Sequence, residues 1–141
     1  MVEKIILVFK THFDIGFTNL SSKVIDQYAD SMLEDVITTC KATEHMGKQK
    51  YVWTMPSWPL KIITERCTAD LKKELDTLIH KGQIVWHALP FTSHTDFCSG
   101  EELIEGLRFG RELSDTYHKP YPITAKMTDV PGHGILLPAI L

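Results

Sequence analysis

The chain has 141 residues, enough for one domain with a core of ordinary size. A hydrophobic share of 43% excludes a disordered chain, and a formal charge of −3 gives no footprint for nucleic acid or an anionic membrane surface. No apolar stretch approaches the roughly 20 residues that span a bilayer, and no leader with a cleavage site is visible. Three cysteines, Cys40, Cys67 and Cys98, lie far apart in no CxxC pair, which reads as free thiols in a reducing compartment. The expectation is a soluble, cytoplasmic protein.

The apolar run Ile5 to Phe9 predicts a strand buried on both faces, as in parallel sheets. Ser21 or Ser22 can cap a helix that keeps apolar spacing through Val24, Tyr28, Met32 and Val36 to about Ala42, ending near Gly47. Tyr51–Met55 reads as a second strand, closed by Pro56 and Pro59. A short helix from about Leu60 to Arg66 follows, then one with Thr68 as its cap, Leu71, Leu75 and Leu78 on its apolar face, and Gly82 just past its end. Ile84–Ala88 is the third predicted strand. Ser99 and Glu102 have capping-box spacing and open a helix from Gly100 to about Tyr117. Tyr121–Met127 predicts a fourth strand, with Pro122 confined to its start, and Gly132 and Gly134 lead into the apolar helix start Ile135–Leu141.

The order βαβαβαβ predicts an α/β fold, a parallel β-sheet with right-handed crossover helices, in one domain over residues 1–141. The final run has no polar face and no cap, and a fourth strand would leave an apolar edge unpaired. The expectation is therefore the N-terminal piece of something longer, with the remainder of the same polypeptide beyond Leu141 as its partner; the alternative is a small complete open-sheet domain with the final helix packed over the sheet.

The polar residues collect at one end of the predicted strands. His12 and Asp14 follow the first, Thr54 and Ser57 the second, His87, Ser93, His94 and Asp96 the third, and Asp129 the fourth. This is the face on which parallel α/β folds build active sites. The opposite ends, around Lys4, Lys50, Gln83 and Tyr121, carry no such cluster. His12 and Asp14 are two positions apart, so on extended backbone they point to one side, where an imidazole and a carboxylate can grip one metal ion. His94 and Asp96 share that spacing and are an alternative pair; in a long loop such residues also bind substrate or cap a helix. Asp129, in Met127–Thr–Asp–Val–Pro–Gly–His–Gly134, is open to a turn or capping role, and His133 to a supporting one. Trp58, in a proline-rich loop, is a candidate platform for a sugar ring, whereas Trp86 inside a strand reads as core.

Two segments carry a resemblance. Thr11–His–Phe–Asp–Ile–Gly–Phe17 resembles the His-x-Asp opening motif of glycoside hydrolase family 38, the α-mannosidases, and Asp129–Val–Pro–Gly–His–Gly134 with Pro138 resembles that family's Asp-Pro-Phe-Gly-His-Ser segment and its downstream proline. Ile15–Gly16 and Ala88–His94 depart from the family's tryptophan-bearing segments, and the pattern is closer to a divergent bacterial branch. The resemblance implies the first half of a seven-stranded β/α barrel and a zinc-dependent retaining glycosidase acting on a carbohydrate substrate. It implies zinc ligation by His12, Asp14 and Asp129, with Asp129 also the catalytic nucleophile. The fourth ligand, a histidine, and the acid/base residue are expected beyond Leu141. Trp58, His94 and Asp96 are the expected substrate contacts, and Asp96 is the only acid within these residues considered as proton donor. Two other readings stay open: a metal-dependent deacetylase or amide hydrolase on a related barrel, and a non-catalytic carbohydrate-binding domain.

Overall fold

A computed structural model describes all residues from Met1 to Leu141. It is mixed α/β. Three parallel strands, β1 (Phe9–Lys10), β2 (Trp53–Pro56) and β3 (Ile84–His87), form one sheet in that order. Between β1 and β2 run α1 (Ser21–Ala29) and α2 (Ser31–Thr43), and between β2 and β3 run α3 (Ser57–Arg66) and α4 (Ala69–His80). After β3 come α5 (Gly100–Gly106), α6 (Arg108–Tyr117) and a last short turn, α7 (Leu137–Ile140).

Register decides which side chains share a face. Phe9, Trp53 and Ile84 align, as do Met55 and Trp86, and by alternation Lys10, Thr54, Val85 and His87 point the other way. The first face is the core. Trp53, Met55 and Ile84 are buried against Val36 and Ile37 of α2, Leu60 and Ile63 of α3, Leu75, Leu78 and Ile79 of α4, and Leu113 of α6. The second face contributes nothing to that cluster. A sheet with one greasy and one half-polar face has room for chemistry on the latter.

Several local devices form as the sequence predicts. The Thr68 hydroxyl accepts from the Leu71 N–H at the start of α4, and Gly82 takes φ 69° just beyond its end. Ser99 and Glu102 form the reciprocal capping box of α5, each side chain accepting from the other's N–H at 3.2 and 2.7 Å.

Other expectations are corrected. The first strand is short: only Phe9 and Lys10 pair with β2, and Ile5, Ile6, Leu7 and Val8 are 59–79% exposed rather than buried on both faces. β1 has a neighbour on one side only, and nothing covers the run that precedes it. The predicted first helix is two, broken at Asp30 (φ −121°, ψ −100°), and neither Ser21 nor Ser22 caps it; Leu20 occupies that position without a side-chain bond. α3 starts at Ser57 rather than near Leu60, because Pro59 lies in the first turn, where its missing N–H has no intrahelical partner to lose. The predicted helix over 100–117 is interrupted at Leu107, next to Gly106.

The fourth strand does not form. Tyr121–Met127 runs beside β3, but a single bond, from the Ala88 N–H to the Thr124 carbonyl at 2.8 Å, joins them. Pro120 and Pro122 have no N–H to give a ladder at its start. The segment is nonetheless seated, with Ala125 and Met127 packed against the small cluster of Ala88, Leu89, Leu107 and Leu137. Of the apolar run at the end, Leu137 of α7 is 2% exposed and Ile140 packs against the same cluster, whereas Ile135 is 94% and Leu136 52% exposed.

An exposed apolar run leading into an unpaired strand edge is a template for pairing with another chain. We predict concentration-dependent self-association in sedimentation, reduced by Ile6→Lys with Val8→Lys, which leaves the core cluster untouched. A monomer at all concentrations would contradict this account of the β1 edge.

Candidate active site

The C-terminal ends of the strands place the site. As β1 ends, two hydrogen bonds from core aromatics fix its continuation. The indole N–H of Trp53, 1% exposed, donates to Thr11 Oγ1 at 2.6 Å, and the Tyr28 hydroxyl donates to the His12 carbonyl at 3.1 Å. Burial first, and the negative charge of Asp14 second, push the Tyr28 phenol up to about 12, so it remains a donor. Phe13 points inward, edge-on to Tyr28 at 5.0 Å, which turns the flanking His12 and Asp14 outward. Both line a cavity of about 340 Å³ with Thr18, Asn19, Gln27 and Tyr28.

Asp129 arrives from the far end of the chain. Its Oδ2 lies 3.5 Å from His12 Nε2, its side chain is 82% exposed, and its backbone is left-handed at φ 62°. A non-glycine residue at positive φ is uncommon, and such strain persists where its surroundings over-determine it. Two contacts do so here. On the preceding residue, Thr128 Oγ1 accepts from the Lys10 ammonium. On the following turn, Thr95 of the loop after β3 is 2% exposed; its hydroxyl accepts from the Gly134 N–H at 2.8 Å and lies 3.3 Å from His133 Nδ1. A Cβ at Gly134 would meet the Thr95 carbonyl oxygen at 2.8 Å, so only glycine fits this clasp.

The sheet's half-polar face continues into this region. Lys10 is held below the usual lysine range by burial and then by the nearby charge of Lys126. His87, 6% exposed with Nδ1 unpartnered, is lowered to about 4 by burial first and then by Lys10 and Lys126. Burial and the two lysine charges both favour its neutral form.

Of the expected site residues, His12 and Asp129 are brought into contact, and Asp14 shares a cavity with His12. Imidazole and carboxylate donors suit zinc by type. As the side chains stand, however, no three His, Cys, Asp or Glu groups are close enough together to hold a metal ion. Asp96 lies against Gly132, its Oδ2 3.4 Å from where a Cβ on that glycine would be, so the loop after β3 does reach the Asp129 turn. His94 faces the Phe97 ring at 5.9 Å. Trp58 is half-buried, edge-on to Phe13 at 5.8 Å and Phe91 at 5.9 Å, and packs against the core. That is the setting of a core side chain rather than of a free stacking platform.

The sequence marked Thr11 only as the start of a motif and Tyr28 only as a helix-face residue, and it did not mark Thr95 at all. Alternation could have flagged Lys10, two before His12 on the same side; nothing marks Thr95 between His94 and Asp96. No helix is long and apolar enough to cross a membrane. No protein-family model, curated protein or solved structure matches the chain.

Two predictions follow from the geometry. Gly134→Ala should cost about 1–3 kcal/mol in denaturant unfolding, the range for forcing atoms into a packed contact; a neutral effect would dissolve the clasp. For His87, the folded pKa lies below the unfolded value of 6.5, so the unfolded chain binds the extra proton. Its contribution is complete above about pH 6.5 and is lost as pH falls toward 4, by up to about 3 kcal/mol. His87→Gln should flatten the stability profile across that window. An unchanged slope would show that His87 is not buried as a neutral ring.

Proposed function

We propose that the chain carries the nucleophile side of a zinc-dependent retaining glycoside hydrolase site of α-mannosidase type, acting on O-glycosides. The observation that carries the reading is the approach of Asp129 Oδ2 to His12 Nε2, 3.5 Å apart from opposite ends of the chain, on the C-terminal side of a parallel sheet. The motif resemblance adds the chemistry. His12, Asp14 and Asp129 would hold the ion, which supplies an electrophilic anchor for adjacent sugar hydroxyls.

In this reading the Asp129 carboxylate attacks the anomeric carbon. An ester bond forms from its oxygen to that carbon as the bond to the departing oxygen breaks, and the departing oxygen takes a proton from a carboxylic acid. Water then cleaves the ester and returns a proton to that acid. The left-handed backbone at Asp129, pinned by Lys10–Thr128 on one side and Thr95–Gly134 on the other, holds the carboxylate forward and exposed. Asp96 reaches the same turn as a substrate contact, and the acid follows the resemblance in coming from beyond Leu141. The barrel that would enclose the site is proposed on the same footing.

The test has two readouts. The 141-residue chain should bind one zinc ion, lost in His12→Ala and weakened in Asp129→Asn, but kept in Asp96→Asn. With the continuation beyond Leu141 present, Asp129→Asn should abolish turnover of aryl and ordinary α-mannosides, whereas Asp96→Asn should mainly raise KM. A fluorinated glycosyl fluoride should leave its sugar esterified to Asp129 in peptide mass spectra. Zinc binding indifferent to both His12 and Asp129 would refute the metal site. Full turnover in Asp129→Asn would refute the nucleophile. Normal hydrolysis of activated aryl glycosides by Asp96→Asn, with failure on ordinary ones, would make Asp96 the acid.

A further inference from the structure

A second concavity, of about 520 Å³, opens between the loop after β3 and the helices α5 and α6. Its volume falls in the range of small-molecule sites. Leu89 and Phe91 wall it from the loop, Leu103 from α5 and Phe109 from α6. Leu89 and Leu103 are buried, whereas Phe91 stands 38% exposed at the opening. The helix approaches the loop this closely because Gly106 has no side chain: a Cβ there would sit 3.2 Å from Pro90 Cγ. The cavity is thus a consequence of close backbone packing.

The charge on its rim is of one sign. Glu101, Glu102 and Glu105 line the opening, and no lysine, arginine or histidine does. The Glu102 carboxylate is held below the usual range by the Ser99 backbone N–H it accepts from. Glu105 pairs with Arg108, which is shared with Glu112. Glu101 makes no ion pair within 4 Å, so one carboxylate at the mouth has no counter-charge. An anion would be repelled here, and a neutral apolar molecule would gain only the walls. An apolar body with an attached cation gains both, since the charge can stay at the wet rim beside a carboxylate while the body is withdrawn from water.

We propose that this cavity binds a small amphipathic cation, an aromatic or branched aliphatic group carrying an ammonium. The cavity shares no lining residue with the His12–Asp14 cavity, and Phe91 lies against the Trp58 ring at 5.9 Å. Cys98 also lines it and provides a built-in reporter.

Three naphthalene probes of one shape decide the question: 1-naphthylmethylammonium, 1-naphthalenemethanol and 1-naphthoate. Each is titrated into the chain by amide-resolved NMR, with alkylation of Cys98 and Cys67 followed by peptide mass spectrometry. The ammonium should bind saturably, shift Phe91, Leu103 and Phe109 amides, and slow alkylation of Cys98 but not of Cys67. It should bind at least tenfold more tightly than the carboxylate. Glu101→Gln should weaken the ammonium about three- to fivefold and leave the alcohol unchanged, and Glu101→Lys should reverse the preference between ammonium and carboxylate. Equal affinity for the three probes would overturn the cationic class. Shifts centred elsewhere, or no saturable binding of the ammonium, would overturn the site.

Discussion

The structure hangs on how β1 is tied to the rest. Two residues of strand pairing are a weak attachment, worth little without side-chain support. The support comes from the most buried aromatic in the sheet: Trp53 reaches across from β2 to hold Thr11, and Tyr28 from α1 holds the backbone of His12. A buried indole N–H or phenol left without a partner costs on the order of 1–3 kcal/mol, so these bonds are enforced by the core itself. The imidazole of His12 is therefore positioned by packing one residue away on either side, at Thr11 and at Phe13. The same three residues, Thr11 to Phe13, anchor β1 to the core and set the direction of the His12 side chain.

The second consequence is the division of the sheet into two unlike faces. One carries Trp53, Met55 and Ile84 under four helices; the other carries Lys10, Thr54 and His87. Lys10 reaches Thr128, beside Asp129, so the polar face and the Asp129 turn are one continuous surface. His87, buried there with Nδ1 unpartnered, makes that surface costly to maintain. Expensive polar burial of this kind collects at functional sites more often than in inert cores.

Much of this was legible in the sequence where a side chain acts on its own neighbourhood. The Thr68 cap, the Ser99–Glu102 box and the Gly82 stop are local chemistry, and all three form. The strands were harder, because apolar character signals burial only if something arrives to cover it. Ile5–Val8 reads as core by composition and is bare by topology. Tyr121–Met127 has strand-like residues, yet its prolines and its single bond to Ala88 keep it out of the ladder. At the site, the His12–Asp14 spacing fits two residues that line one cavity, and Asp129 reaches His12 from a turn rather than from the end of a strand. The Thr95–Gly134 clasp was invisible because it joins segments distant in the chain through a hydroxyl and a missing Cβ, neither of which has a periodic signature. Trp58 shows the converse: a tryptophan near two prolines suggests a platform, but it lies in the first turn of α3, edge-on to Phe13 and Phe91 and packed against the core.

The proposed site requires His12, Asp14 and Asp129 to be donors to one ion. X-ray absorption at the zinc edge on the zinc-loaded chain tests it most directly. The account predicts a first shell of nitrogen and oxygen only, at about 2.0–2.2 Å, with one imidazole scattering signature that disappears in His12→Ala. A sulfur at about 2.3 Å, which would put the ion on a cysteine, would contradict it. So would an imidazole signature that survives the loss of His12.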